Sequence, residues 1–152
     1  MASPSLSDFI APDAITFGEF GSFLTASEAA GELLVSSGLV VSGYVDEITE
    51  IIQKHGPYMV IAPGIAIVHG RPSGSVLKTG ASVVIDSTGV ISGNEKNDPV
   101  KVVLAISAKN DAEHLQMLKS IAELFNQPGM VEKMANCSSS GEVLNLISIN
   151  LQ

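Results

Sequence analysis

The apolar positions of this chain fall into three regimes: helical spacing first, nearly continuous apolar runs in the middle, and helical spacing again at the end. Ala26, Ala29, Ala30, Leu33 and Leu34 recur at intervals of three and four, lining one face of a helix opened by Thr25-Ala26-Ser27-Glu28 and closed by Gly38. Gly43 to Lys54 repeats the pattern with Tyr44, Ile48, Ile51 and Ile52, and His55-Gly56-Pro57 ends it. Ala14 to Phe17, ahead of both, reads as a short strand.

In the middle regime, Tyr58 to Ala62, Ile65 to His69, Ala81 to Ile85 and Val100 to Ser107 predict strands. The last two alternate so little that both of their faces should be covered. Between them, the polar Asp86 to Pro99 reads as a loop or hairpin with Val90-Ile91 as a short strand. Asn110-Asp111-Ala112-Glu113 has the spacing of a capping box, and the helix it starts carries Leu115, Leu118, Ile121, Ala122 and Phe125 on one face. Gln127-Pro128-Gly129 breaks that helix, Met130 to Ala135 predicts a short one, and Ser139 to Glu142 forms a second capping box before Val143, Leu144, Leu146 and Ile147. Helices, then strands, then helices make one layered α/β or α+β domain over residues 1–152, without an internal repeat or linker.

Composition narrows the class. With 152 residues, 45% of them hydrophobic and 16% charged, the chain can bury about 70% of its unfolded surface in a real core. It has neither a long uninterrupted apolar run nor a basic start followed by an apolar block, so a soluble protein without a secretory signal is expected. The lone Cys137 cannot form an internal disulfide, and a reducing cytoplasm is the natural compartment. A formal charge of −8, with eight scattered lysines and arginines, argues against nucleic acid and suits a basic protein partner.

The candidate chemistry sits where the apolar run ending at His69 enters the loop Gly70-Arg71-Pro72-Ser73-Gly74. Side chains two apart in an extended segment share a face, so His69 and Arg71 should point into one site. Arg71 is the only arginine of the chain, and its guanidinium fork fits a phosphate or carboxylate. An imidazole with an ordinary pKa of ~6.5 is mostly neutral at cytoplasmic pH, as a nucleophile must be. His69 therefore reads as a phosphorylatable nucleophile with Arg71 stabilising the phosphate. The Gly70 amide and the hydroxyls of Ser73, Ser75 and Thr79 are further candidate donors.

Other chemistries fit less well. The spacing of His55, His69 and His114 matches no metal signature. Ser75 to Lys78 spells SxxK and Lys78-Thr79-Gly80 spells KTG, but the two overlap and cannot face each other across a cleft. No Walker loop, dinucleotide fingerprint or nucleophile elbow is present.

The segment GPYMVIAPGIAIVHGRP, followed by LKTG at Leu77 to Gly80 and NDPV at Asn97 to Val100, resembles the mannitol/fructose-type IIA domain of the bacterial phosphoenolpyruvate-dependent sugar phosphotransferase system, and within it the ascorbate-specific branch. The resemblance implies a mixed central β-sheet flanked by helices. It implies a cytoplasmic phosphocarrier that accepts a phosphoryl group on His69 from the phosphohistidine carrier protein and passes it to the cysteine of a IIB component. DAEHLQML matches the family's second histidine, which makes His114 the residue expected to assist transfer. No metal or organic cofactor is implied, the membrane would be met only through the partner permease, and homo-oligomerisation stays open.

Two departures bear on activity. The mannitol branch has an arginine roughly where Ile51 falls here, and related sequences commonly have proline where this chain has Val68. His55 matches no catalytic position of the family and reads as a helix-end residue. A regulatory protein like the nitrogen-related branch and a non-catalytic binding module of the same fold are the alternative readings.

Overall fold

Odd- and even-numbered residues of the central strands pack into two different cores, which makes the molecule three layers deep. The computed structural model describes residues 6–70 and 74–151. Its strands are β1 (Ile15–Phe17), β2 (Val60–Ala62), β3 (Ile65–Val68), β4 (Gly80–Val90) and β5 (Val100–Ser107), and its helices are α1 (Phe23–Ser36), α2 (Gly43–His55), α3 (Asp111–Phe125), α4 (Met130–Ala135) and α5 (Ser140–Asn150). Ile65 and Ile67 of β3 and Val102, Leu104 and Ile106 of β5 join Met117, Ile121 and Leu124 of α3, Met134 of α4 and Ile147 of α5. Ala66, Val68, Val103 and Ala105 face the other way, against Ala30 and Leu34 of α1 and Tyr44 and Ile48 of α2. A strand with helices on both faces has no polar side to show, which is why these runs lack alternation.

The sheet order is β1-β4-β5-β3-β2. β1 is parallel to β4, β4 antiparallel to β5, β5 parallel to β3, and β3 antiparallel to β2. The expected mixed sheet with flanking helices is thus the one observed. Because β3 and β5 run the same way, in register from Ile65 opposite Val102 to Val68 opposite Ala105, their carboxyl ends lie side by side. The chain leaving β3 and the chain entering α3 therefore start from one edge of the sheet.

Three expectations need correction. Helix α1 begins before Thr25, at Phe23, because Ser22 is the cap and its Oγ accepts from the Thr25 N–H at 3.1 Å. Strand β4 does not stop at Ile85 but runs to Val90, with a shift of register against β5 between those residues. The buried Asp86 carboxylate makes that bulge tolerable, accepting from the N–H groups of Phe20 at 2.9 Å, Thr88 at 3.1 Å and Gly89 at 3.0 Å. In α3 the buried stripe is Met117, Ile121 and Leu124, while Leu115 is 68% exposed. Ile121 belongs to both, and Leu118 and Phe125 of the expected stripe are partly buried against the same core, so only Leu115 and Ala122 turn to solvent.

Candidate functional site

His69 is the first residue beyond β3, and the alternation that sends Ile65 and Ile67 to the α3 side sends its side chain there too. Val68 before it is fully buried and paired with Ala105, so the strand holds its form up to the histidine without the proline of related sequences. On the neighbouring chain end, Asn110 caps α3 by accepting from the Glu113 N–H at 2.9 Å, as the capping box implied. Its reciprocal half differs, since the Glu113 carboxylate takes the Asn110 side-chain amide at 3.1 Å. This cap sets His114 in the first turn, where its ring meets that of His69 edge to face, with centroids 5.1 Å apart and planes at 70°. At that separation the rings touch, and an anion would meet both from the side of the cavity.

Both rings are partly exposed and line an open cavity of about 330 Å³ with Ile51, His55, Tyr58, Gly70 and Asp111. Burial pushes the His69 imidazole below its usual pKa, and the nearby His114 adds to this by repulsion. The Ile67 backbone works in the opposite sense, favouring the charged ring. It does not close a full hydrogen bond: Nδ1 of His69 is buried and has no partner among the described residues. A neutral ring with Nδ1 turned inward leaves the other nitrogen to face the cavity.

Two candidate donors are otherwise engaged. The Gly70 N–H donates to the Tyr44 hydroxyl at 2.9 Å and is not free for a ligand. Thr79 donates to the Glu113 carboxylate at 2.9 Å and accepts from the Lys109 N–H at 3.1 Å, in a separate groove beside Phe9 and Met117. Arg71 and Ser73 lie outside the described residues, so their suggested roles have no geometry here.

Sequence reasoning missed Tyr44 as more than a core residue, and it gave Tyr58 and Asp111 structural places only, the first in a strand that in fact starts at Val60. His55 does end its helix, yet it also lines the cavity, against the edge of the Tyr58 ring at 6.0 Å between centroids. Spacing four residues after Ile51 on α2 was the available signal. Ile51 forms part of the cavity wall. Among the described residues, no group of three or more histidine, cysteine, aspartate or glutamate side chains is arranged to hold a metal. A larger concavity of about 430 Å³ lies at the other end of β3, beside Gly64, Pro99 and Lys101, and its lining contains no histidine, cysteine or serine. None of the described helices is long and apolar enough to cross a membrane.

Comparison with known proteins bears on the family and the fold. The family model described as phosphoenolpyruvate-dependent sugar phosphotransferase system, EIIA 2, matches residues 14–149. The ascorbate-specific PTS system EIIA component of Shigella boydii is 34% identical over 117 residues, which is 76% of each chain. The mannitol-specific cryptic phosphotransferase enzyme IIA of Escherichia coli superposes with a TM-score of 0.84 at 25% identity, covering 96% of this chain and 99% of that one. The mannitol IIA of Escherichia coli, solved in complex with phosphorylated enzyme IIB, superposes with a TM-score of 0.80 at 28% identity, covering 91% and 96%.

Proposed function

The chain belongs to the EIIA 2 family of the phosphoenolpyruvate-dependent sugar phosphotransferase system, as a phosphoryl-transfer component, and on that premise we propose that His69 is its phosphorylated residue. The observation that carries this reading is the ring's position: it ends a rigid strand, turns Nδ1 inward, and shares an open cavity with His114.

The attacking atom is Nε2. Its lone pair forms a bond to phosphorus as the N–P bond of the phosphohistidine donor breaks and that electron pair returns to the donor's imidazole. In the second half, the thiolate of a IIB component attacks phosphorus, and the N–P bond breaks with its pair returning to Nε2. Neither step consumes water or needs a metal. The Ile67 backbone favours the charged ring that the phosphorylated state resembles. His114 supplies a donor to the phosphoryl oxygens, and Arg71, from its place in the sequence, a second. The cavity is open, as suits a carrier that must meet two protein partners in turn.

The partners in this reading are the phosphohistidine carrier protein and a IIB component, the latter supported by the IIA–IIB complex of the mannitol relative. Ascorbate as the transported sugar rests on the 34% identity to ascorbate-specific components, and a cytoplasmic location on the same kinship. The test is incubation with phosphoenolpyruvate and the two general proteins of the system. Acid-labile, alkali-stable label should appear on the wild type and vanish in His69→Ala. An unlabelled wild type would instead leave a non-catalytic binding module.

A further inference from the structure

Strands β3 and β5 are parallel with Val68 opposite Ala105, so the register continued would set Gly70 opposite Ser107. In a parallel ladder, the amide of such a residue donates to the carbonyl of the residue preceding its partner, which here is Ile106. That rung is not made directly. The Gly70 N–H donates to the Tyr44 hydroxyl oxygen at 2.9 Å, and the same hydroxyl donates to the Ile106 carbonyl at 2.8 Å. A phenol from α2 stands in the ladder where the next strand-to-strand bond belongs.

We infer that Tyr44 is a positioning residue for phosphoryl transfer: its hydroxyl, inserted between the Gly70 N–H and the Ile106 carbonyl, parts β3 from β5 at His69 and fixes the peptide that aims the ring into the cavity. The inference rests on the reading of His69 as the phosphoryl acceptor. Two hydrogen bonds in series hold backbone groups farther apart than one, so the bridge opens the sheet at this rung while leaving no buried amide or carbonyl unpaired. Tyr44 is 2% exposed, and its ring lies against Gly70, where an added Cβ would come within 2.8 Å of Cε1. Burial pushes the hydroxyl up to about 12, with Glu47 adding to the effect, so it stays neutral and keeps the proton it donates to Ile106. A tyrosine serving only to fill the core needs none of this, since phenylalanine would fill the same space.

The experiment compares Tyr44→Phe with Ile48→Val, which trims the same helix's buried face without touching the bridge. In Tyr44→Phe, the ¹⁵N and ¹H signals of the His69 ring and its titration midpoint should shift. Turnover of phosphoryl transfer to IIB should fall about tenfold to a hundredfold at unchanged KM for the carrier protein, the loss expected when a reacting group is misplaced. Ile48→Val should lose stability and keep both properties. Tyr44→Phe with an unmoved ring, or with a rate loss matched by Ile48→Val, overturns the inference. Should Tyr44→Phe not fold, fluorinated tyrosine at position 44 preserves shape and lowers the hydroxyl pKa. Its turnover should then fall at an alkaline pH that leaves the wild type unaffected, and an identical pH profile overturns the bridge. An unlabelled wild type would fail the phosphocarrier reading by itself, while the ring's response still decides the bridge.

Discussion

His69 and His114 present their rings edge to face at 5.1 Å between centroids, one from the end of β3 and the other from the first turn of α3. Proximity of the second ring discourages protonation of His69, which keeps a nucleophile free, and it gives an incoming anion two contacts. Replacing His114 by alanine removes the repulsion and should raise the His69 titration midpoint, which burial still holds below ~6.5. Phosphoryl transfer should slow by on the order of a hundredfold, as when one donor to a developing negative charge is lost. An NMR titration and a labelling time course check the two halves.

The lowered His69 pKa also links stability to pH. Between its folded value and the ~6.5 of the unfolded chain, the unfolded state binds more protons, so stability rises with pH through that window and levels off above it. Acidification from pH 7 should therefore lower the melting temperature of the wild type more than that of His69→Gln. Paired melting curves from pH 4 to 8 provide the comparison.

Gly70 is required for lack of a side chain. A Cβ there would lie 2.8 Å from Cε1 of Tyr44 and 3.1 Å from Cβ of Glu47, and the tyrosine ring is pinned by its hydroxyl at both sides. Gly70→Ala should cost about 1–3 kcal/mol in urea unfolding, the usual range for overpacking. It should also lower the phosphorylation rate, because relief of the clash moves the His69 peptide.

Much of this arrangement was legible in the residues, and the exceptions have physical causes. The strand carrying His69 announced itself by apolar content, and the start of α3 by its capping box, because both signals are local. The tail of β4 was misread since Asp86, Ser87, Thr88 and Gly89 look like a turn; the strand persists through a bulge whose freed amides a buried carboxylate collects. The stripe of α3 was right at Leu118, Ile121 and Phe125 and wrong at Leu115, because spacing alone does not fix how far a helix is turned about its axis. Tyr44 looked like core because it is core; that its hydroxyl completes a ladder between residues 26 and 62 positions away depends on topology no local pattern contains.

The wall of the cavity offers a gain-of-function test. Ile51 is partly exposed there beside both histidines. Ile51→Arg would place a cation at the rim of the cavity, and one exposed charge pairing is worth up to about 1 kcal/mol. The equilibrium constant for phosphoryl exchange with the phosphohistidine carrier protein should shift by up to roughly fivefold, as read from label partition between the two proteins. An unchanged partition would mean that the wall does not reach the phosphate.

The most direct measurement is ³¹P–¹⁵N correlation spectroscopy on uniformly ¹⁵N-labelled protein phosphorylated through phosphoenolpyruvate and the two general proteins. The account predicts a single phosphoramidate on Nε2 of His69. Phosphate on Nδ1 of that ring, or on His114 or His55, would contradict it.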